Sequence, residues 1–364
     1  MIVKDPLHQN IYIDDFEKKL IDTPEFQRLR RIKQLGVTYL VYPGATHTRF
    51  EHSLGTMQVA SRMCDQLGLE ADEKEKVRIY GLLHDVGHAA FSHESEKAIE
   101  SFCGNHEKIG KKKMQTGKLG ETLKEKFSKT EIKNLGSGVE EAIIAGDVGA
   151  DRMDYLLRDA YHIGVSYGAV DVDRILHMLE LMEGELVVRE KGLEATESLL
   201  IGRFMMFSTV YLHKTVRIGS AMLNRGILAS IEDGMSAEEF AEGTDELVLE
   251  KMQSTPNGGV YARDLLNRNL YKQAYAIEGV LENPKKVEAT LSKEAKGQVI
   301  VDLPPVLSKP LGIKVLRNGE LFPIMEESDL VKSLFLSEEK RKKTLILAPS
   351  ADRKKVKIAA EKRF

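Results

Sequence analysis

Tyr80-Gly-Leu-Leu-His-Asp-Val-Gly-His88 ends an apolar run on a histidine beside an aspartate. His84 and Asp85 thus offer one nitrogen and one oxygen ligand to a single metal ion, and the apolar residues before them read as a helix that delivers the pair. Two further candidate ligands flank them at long range, His52 and Asp151. Two imidazoles with two carboxylates suit a borderline-to-hard divalent ion: manganese, magnesium, iron, nickel or zinc. A lone His-Asp dipeptide is common in packed cores. Here it is accompanied by Arg49-Phe-Glu-His52, Gly87-His88, Phe91-Ser-His93 and Asp151 with Asp154-Tyr155, in order along the chain.

The composition bounds the class. With 364 residues, 42% hydrophobic and 30% charged, the chain can bury a substantial core as one large domain or a domain with a smaller lobe. A formal net charge of -3 gives no global field toward nucleic acid or membrane. The two cysteines, Cys64 and Cys103, form no CxxC and no disulfide framework, the pattern of a cytoplasmic protein. Met1-Ile-Val-Lys-Asp-Pro6 is unlike a signal peptide, and no apolar stretch approaches the roughly 20 residues that span a bilayer. A soluble, cytoplasmic protein is expected, without membrane contact.

The pattern from about 13 to 218 is mainly helical. Asp22-Thr-Pro24 reads as a helix start followed by Phe26, Leu29, Ile32 and Leu35, and Tyr39 to Gly44 as a short extended piece and a turn. Thr48 and Glu51 have capping-box spacing, which puts His52 in the first turn of a helix reaching Leu67. Residues 107–138, rich in lysine and glycine, predict exposed short helices and loops. Asp151 to His162 returns to a helical period, with Met153, Leu156, Leu157 and Ala160 on one side and Asp151, Tyr155, Arg158, Asp159 and His162 on another. Leu186 to Gly192 predicts a strand entering a turn, then one helix carrying Arg203, Tyr211, His213 and Lys214.

Beyond 218 more helices are expected to about 292. Strands then follow at Val299–Val301 and Ile313–Leu316, with Asn318-Gly319 as a hairpin turn into Glu320–Ile324. The division predicted is a catalytic core, 1–218, and a helical and α+β lobe, 219–364. The lysine-rich stretches from Lys340 read as a solvated face, with nucleic-acid contact as the alternative.

The longer strings carry a specific resemblance. H…HD…D resembles the HD superfamily of metal-dependent phosphohydrolases. Asp22-Thr-Pro-Glu-Phe-Gln-Arg-Leu-Arg30, Lys33-Gln-Leu-Gly36, Tyr42-Pro-Gly-Ala45, Arg49-Phe-Glu-His-Ser-Leu-Gly55 and Asp151-Arg-Met-Asp-Tyr155 with Arg158-Asp159 are similar to its deoxynucleoside triphosphate triphosphohydrolase branch. The similarity covers roughly residues 4–218 and leaves no room for an N-terminal SAM domain like that of some members. It implies a mainly α fold, an HD-domain helical core with a smaller C-terminal α+β lobe. It implies hydrolysis of a dNTP to deoxynucleoside and inorganic triphosphate, by attack of metal-activated water on the α-phosphate.

By that resemblance His52, His84, Asp85 and Asp151 bind the metal, leaving open positions for water and a phosphate oxygen. His93 is the general acid for the departing 5′ oxygen, oriented by Glu96, while His88 and His106 contact phosphate or relay protons. Arg49, Arg152 and Arg203 match phosphate contacts. Gln34, Leu35 and Asp159 match residues that hold the sugar, and Tyr155 and Tyr211 match the deoxyribose pocket. Asp22, Gln27 and Arg30, with Arg174, His213 and Lys214, match contacts to an activating GTP or dNTP held between subunits of a homo-oligomer, dimer or tetramer. Two alternatives stay open: an HD phosphohydrolase for a nucleoside monophosphate or guanosine tetraphosphate, and a nucleotide- or nucleic-acid-binding protein without catalysis.

Overall fold

The computed structural model describes residues 1–168, 170–305 and 311–364. Its centre is the helix Arg49–Leu67, which starts where the Glu51 carboxylate accepts the Thr48 backbone N–H at 2.6 Å. It ends on Gly68, whose φ of +68° is the left-handed value that glycine adopts without strain. His52, Leu54, Met57, Val59, Ala60 and Met63 are all buried, so this helix is enclosed on nearly every side. The helices Ala71–Leu83 and Ala150–Ile163 pack on it and bring His84 and Asp151 to the same end as His52.

One core cluster gathers Val59 and Met63 with Met153, Leu156 and Ala160. A second gathers Leu54, Met57, Ile79, Leu82 and Leu83 with Phe26, Leu29 and Ile32. Met114, Leu119, Leu123 and Ile132 belong to that second cluster. The helices His106–Gln115, Gly117–Leu123 and Lys129–Asn134 are therefore amphipathic cover over the core, not the exposed segments their lysines predict.

The β-structure is peripheral and the fold is mainly α. Ile2–Asp5 and Gln9–Tyr12 form an antiparallel hairpin. A four-stranded sheet runs Leu179–Met182, Glu185–Arg189, Lys314–Arg317, Glu320–Pro323, its last pair closed at Asn318-Gly319 as the dipeptide predicts. A three-stranded sheet places Lys343–Ala348 between Lys272–Glu278 and Ile300–Asp302. The helix Lys214–Glu232 runs unbroken through residue 218 and packs against His93–Cys103. No helix among the described residues is long and apolar enough to cross a membrane.

Four local expectations change. Pro24 opens only one α-turn, Pro24–Gln27, before a 3-10 segment at Arg28–Arg31. Thr38–Leu40 is a 3-10 turn and not extended. The helix carrying Arg203 ends at Met206, passes through a π-turn at Phe207–Tyr211 and restarts at Lys214, with His213 as the new N-cap. Within the basic tail, Leu345, Ile346 and Leu347 are buried in the central strand, so only its lysines form the solvated face.

Gly55 has a packing reason. A Cβ there would overlap Asp154 Oδ1 and Arg158 Nη2, a fully buried pair on the adjacent helix. Gly55→Ala should therefore cost roughly 3 kcal/mol in urea unfolding, the scale of a disrupted buried ion pair. An alanine variant as stable as the unaltered chain would contradict this packing.

Candidate metal centre and active site

His52, His84 and Asp85 bring one ligand atom each within 4.8 Å of one another. Asp151 joins them, with Oδ1 2.9 Å from His52 Nε2 and 3.8 Å from His84 Nε2. His84 Nδ1–H donates to the Gly81 carbonyl at 2.8 Å, which leaves Nε2 with its lone pair turned toward the carboxylates. That Nε2 is buried and has no hydrogen-bond partner among the described residues. Burial alone would lower the His52 pKa, but hydrogen bonds to Asp151 and Asp154, with Asp85 close by, push it up to about 10. Burial would raise Asp151, yet the two imidazoles hold its carboxyl well below the usual range. Surplus negative charge, a lone pair without a donor and a mixed N/O ligand set fit a divalent cation.

Behind His52 lies a network that the sequence reading did not assign. His52 Nδ1–H donates to Asp154 Oδ2 at 2.8 Å, the arrangement that fixes the tautomer of a metal-binding imidazole. Asp154 also accepts Arg158 Nε and Nη2, both at 2.9 Å, and His8 Nε2 at 2.6 Å. Arg158 Nη1 continues to Asp5 Oδ2 at 2.8 Å. In front of the centre, Arg49 Nη1 donates to Asp85 Oδ2 at 2.6 Å. This arginine, expected at a phosphate, is thus engaged with a candidate metal ligand.

Beside the centre three imidazoles cluster. His88 and His106 stack at 4.1 Å, and His93 meets both edge-on at 4.6 and 4.9 Å. Glu96 accepts Nδ1–H from His93 at 3.0 Å and from His106 at 2.8 Å, and those bonds outweigh burial to hold its carboxyl far below the usual range. Both Nε2 atoms are left free of that carboxylate. His88 is buried, and desolvation together with Arg49 holds it well below the usual imidazole value against the pull of Asp85. One ligand atom from each of His88, His93 and His106 lies within 4.8 Å of the others, so this cluster too has the spacing to hold an ion or the oxygens of a ligand.

The turn carrying His93 is strained: Phe91 and Ser92 both have positive φ, +64° and +57°. Three partners hold it. Ser92 Oγ accepts from Arg49 Nε and donates to the Lys33 carbonyl. Asp245, from beyond residue 218, accepts the backbone N–H of both Phe91 and Lys33, at 2.7 and 3.0 Å. Arg28 donates to the carbonyls of Val86 and His88 on one side and of Ala241 and Gly243 on the other.

The residues expected at sugar and phosphate are also brought together. Arg152, Asp151, Arg203 and Asp159 each lie within electrostatic reach of Tyr155. Arg152 is held by Asp147, and Arg203 bonds Glu338 at 3.1 Å. Asp159 accepts from Tyr211 Oη at 2.5 Å and from His47 Nε2 at 2.7 Å, a histidine not singled out in the sequence. The buried Gln34 Oε1 and His47 Nδ1 have no partner among the described residues. Leu35 is half-buried beside Gln34. On the outer surface Asp22 pairs with Lys18, and Gln27 accepts Arg30 Nε, whose guanidinium sits over Phe50. Among the described residues no hydrogen bond, ion pair or ring contact joins these three to Arg174, His213 or Lys214.

Comparison with known proteins identifies the framework. Residues 49–159 match the HD domain and residues 170–364 the HD associated region. The chain belongs to the HD-domain phosphohydrolase family. HD domains bind divalent metals, as the ligand set here requires. An uncharacterized protein of Methanocaldococcus jannaschii is 37% identical over 96% of this chain and 79% of its own length. A crystal structure of a hypothetical protein from Aquifex aeolicus superposes with a TM-score of 0.82, at 33% identity and 99% coverage of each chain. The deoxynucleoside triphosphate triphosphohydrolase SAMHD1 homolog of Dictyostelium discoideum is 29% identical over 74% of this chain, which spans only 59% of that protein.

One carboxyl of this HD core links the backbone at Val37 to the His93 helix. Glu94 accepts the Val37 N–H at 2.6 Å, and burial pushes its carboxyl up to about 8. The ordinary value is 4.5, so between these pH values the folded chain holds a proton that the unfolded chain lacks. That stabilisation is complete below the lower value and is lost as pH rises through about 8. Glu94→Gln should then flatten the fall in urea stability between pH 5 and pH 9. Identical pH dependence in the two proteins would contradict the assignment.

Proposed function

We propose that this chain is a metal-dependent dNTP triphosphohydrolase, releasing deoxynucleoside and inorganic triphosphate. The observation that carries the reading is the adjacency of two sites. His52, His84, Asp85 and Asp151 converge beside Tyr155, which has Arg152, Arg203 and Asp159 within electrostatic reach, and these residues, with the buried Gln34 acceptor, suit a triphosphate and a sugar. A small monophosphate needs fewer remote contacts. Similarity to the Dictyostelium enzyme supports the same substrate class.

A divalent ion on the four ligands supplies positive charge at the phosphate and lowers the pKa of water. Arg152 and Arg203 offset the remaining triphosphate charge, and His88 and His106 face phosphate oxygens. Gln34 and Asp159 take the 3′ hydroxyl, with His47 and Tyr211 holding Asp159 in place, and Leu35 lines the sugar site. Tyr155 packs against the deoxyribose and leaves no room for a 2′ hydroxyl. As the bond between the α-phosphorus and the 5′ oxygen breaks, His93 Nε2 gives a proton to that oxygen, with Glu96 fixing the ring through Nδ1. Arg49 holds Asp85 in orientation. On the same reading Asp22, Gln27 and Arg30 of one subunit, with Arg174, His213 and Lys214, bind an activating GTP or dNTP in a homo-oligomer.

Incubation of the protein with each dNTP and manganese or magnesium, with and without GTP, should yield triphosphate. Pyrophosphate or inorganic phosphate as first product would overturn the cleavage site. His93→Ala should keep its metal while turnover falls about 10²-fold or more, the contribution of a general acid. Asp151→Ala should lose both metal and turnover. Full activity in either variant would contradict its role.

A further inference from the structure

The first thirteen residues reach the metal centre from behind. Met1 donates its ammonium to the Ile13 carbonyl at 2.7 Å, closing the base of the hairpin. At the other end Asp5 Oδ1 accepts the N–H groups of Leu7 and His8, both at 2.9 Å, and so shapes the turn. Gln9 has a left-handed φ of +60° there. The turn aims two side chains inward. Asp5 Oδ2 takes Arg158 Nη1, and His8 Nε2 takes Asp154 Oδ1, a residue 146 positions away.

Asp154 is fully buried, and its two oxygens serve four donors: His8 Nε2, His52 Nδ1, Arg158 Nε and Arg158 Nη2. Arg158 clamps both oxygens and keeps this carboxyl ionised against the cost of burial, so it only accepts, and His8 and His52 must each donate. With Nδ1 donating, the neutral, metal-binding form of His52 is the tautomer whose Nε2 lone pair faces Asp85 and Asp151. Among the described residues His8 is the one donor to Asp154 from outside the helices Arg49–Leu67 and Ala150–Ile163. Removing it leaves Oδ1 to Arg158 Nη2 alone, on the same helix as Asp154, so the carboxylate loses its independent anchor and the His52 ring is held less firmly.

We propose that His8, presented by the Asp5 turn, is a positioning residue for the metal centre: it locks Asp154 and through it the His52 ligand nitrogen. The proposal rests on the metal reading of His52, His84, Asp85 and Asp151, not on the identity of the substrate. Partners of this kind to a metal-binding histidine change metal affinity by about 10- to 100-fold.

The test is a Co²⁺ titration of the metal-stripped full chain, followed by the visible absorption of the bound ion, alongside thermal melting of the metal-free forms. His8→Ala should bind Co²⁺ at least about tenfold more weakly while its metal-free form melts cooperatively. His8→Gln, which restores an N–H donor to Asp154, should recover most of the affinity. Should His8→Ala fail to fold, His8→Asn, whose amide is too short to reach Asp154, takes its place with the same expectation. Affinity within twofold of the unaltered chain in His8→Ala or His8→Asn would overturn the proposal alone. So would a His8→Gln affinity as weak as that of the alanine variant. If the unaltered chain takes up no Co²⁺, the metal reading falls and the proposal with it.

Discussion

Three carboxylates, Asp85, Asp151 and Asp154, crowd two imidazoles at one end of a buried helix, and their charge must be offset. The fold does this asymmetrically. Asp154 has Arg158, and Asp85 has Arg49. Asp151, the most exposed of the three, forms ion pairs among the described residues with the imidazoles of His52 and His84 and with no arginine or lysine. A charge-balanced network therefore stands behind the centre and an under-compensated carboxylate in front. The buried small residue at Gly55, the capping box at Thr48 and Glu51, and the hairpin at Asp5 and His8 all serve that balance. The arrangement is rigid on its inner side and poised for a cation on its outer one.

The second lobe shares in the site. Asp245 and the carbonyls of Ala241 and Gly243, reached by Arg28, hold the strained turn that carries Ser92 and His93 and the isolated β-bridge at Lys33. Candidate sugar and phosphate residues sit at either end of those segments. The HD associated region is thus part of what shapes the turn that carries His93, and a change at Asp245 would disturb that turn and the backbone at Lys33 together.

What was legible in the sequence was local. The capping box located His52, the 3.6-residue period placed Asp151 and Tyr155 on their helix, and Asn318-Gly319 set a strand register. These signals act over a few residues. The same locality hid the rest. Asp154 and Arg158 stood in the quoted motifs, but their role depends on a hairpin more than a hundred residues earlier. Asp245 sits in an acidic stretch with no periodicity to mark it as buried. Lysines flanking Thr344–Ala348 masked a short apolar run that is the central strand of its sheet. His47 was legible only as a residue near Arg49, since its partner Asp159 is 112 positions away.

The central claim, that His52, His84, Asp85 and Asp151 hold one divalent ion backed by Asp154, is met most directly by diffraction from manganese-soaked crystals at the metal's absorption edge. The account predicts one strong anomalous peak within bonding distance of His52 Nε2, His84 Nε2 and the carboxylates of Asp85 and Asp151. A peak seated instead among His88, His93 and His106, or none at the four ligands, would contradict it.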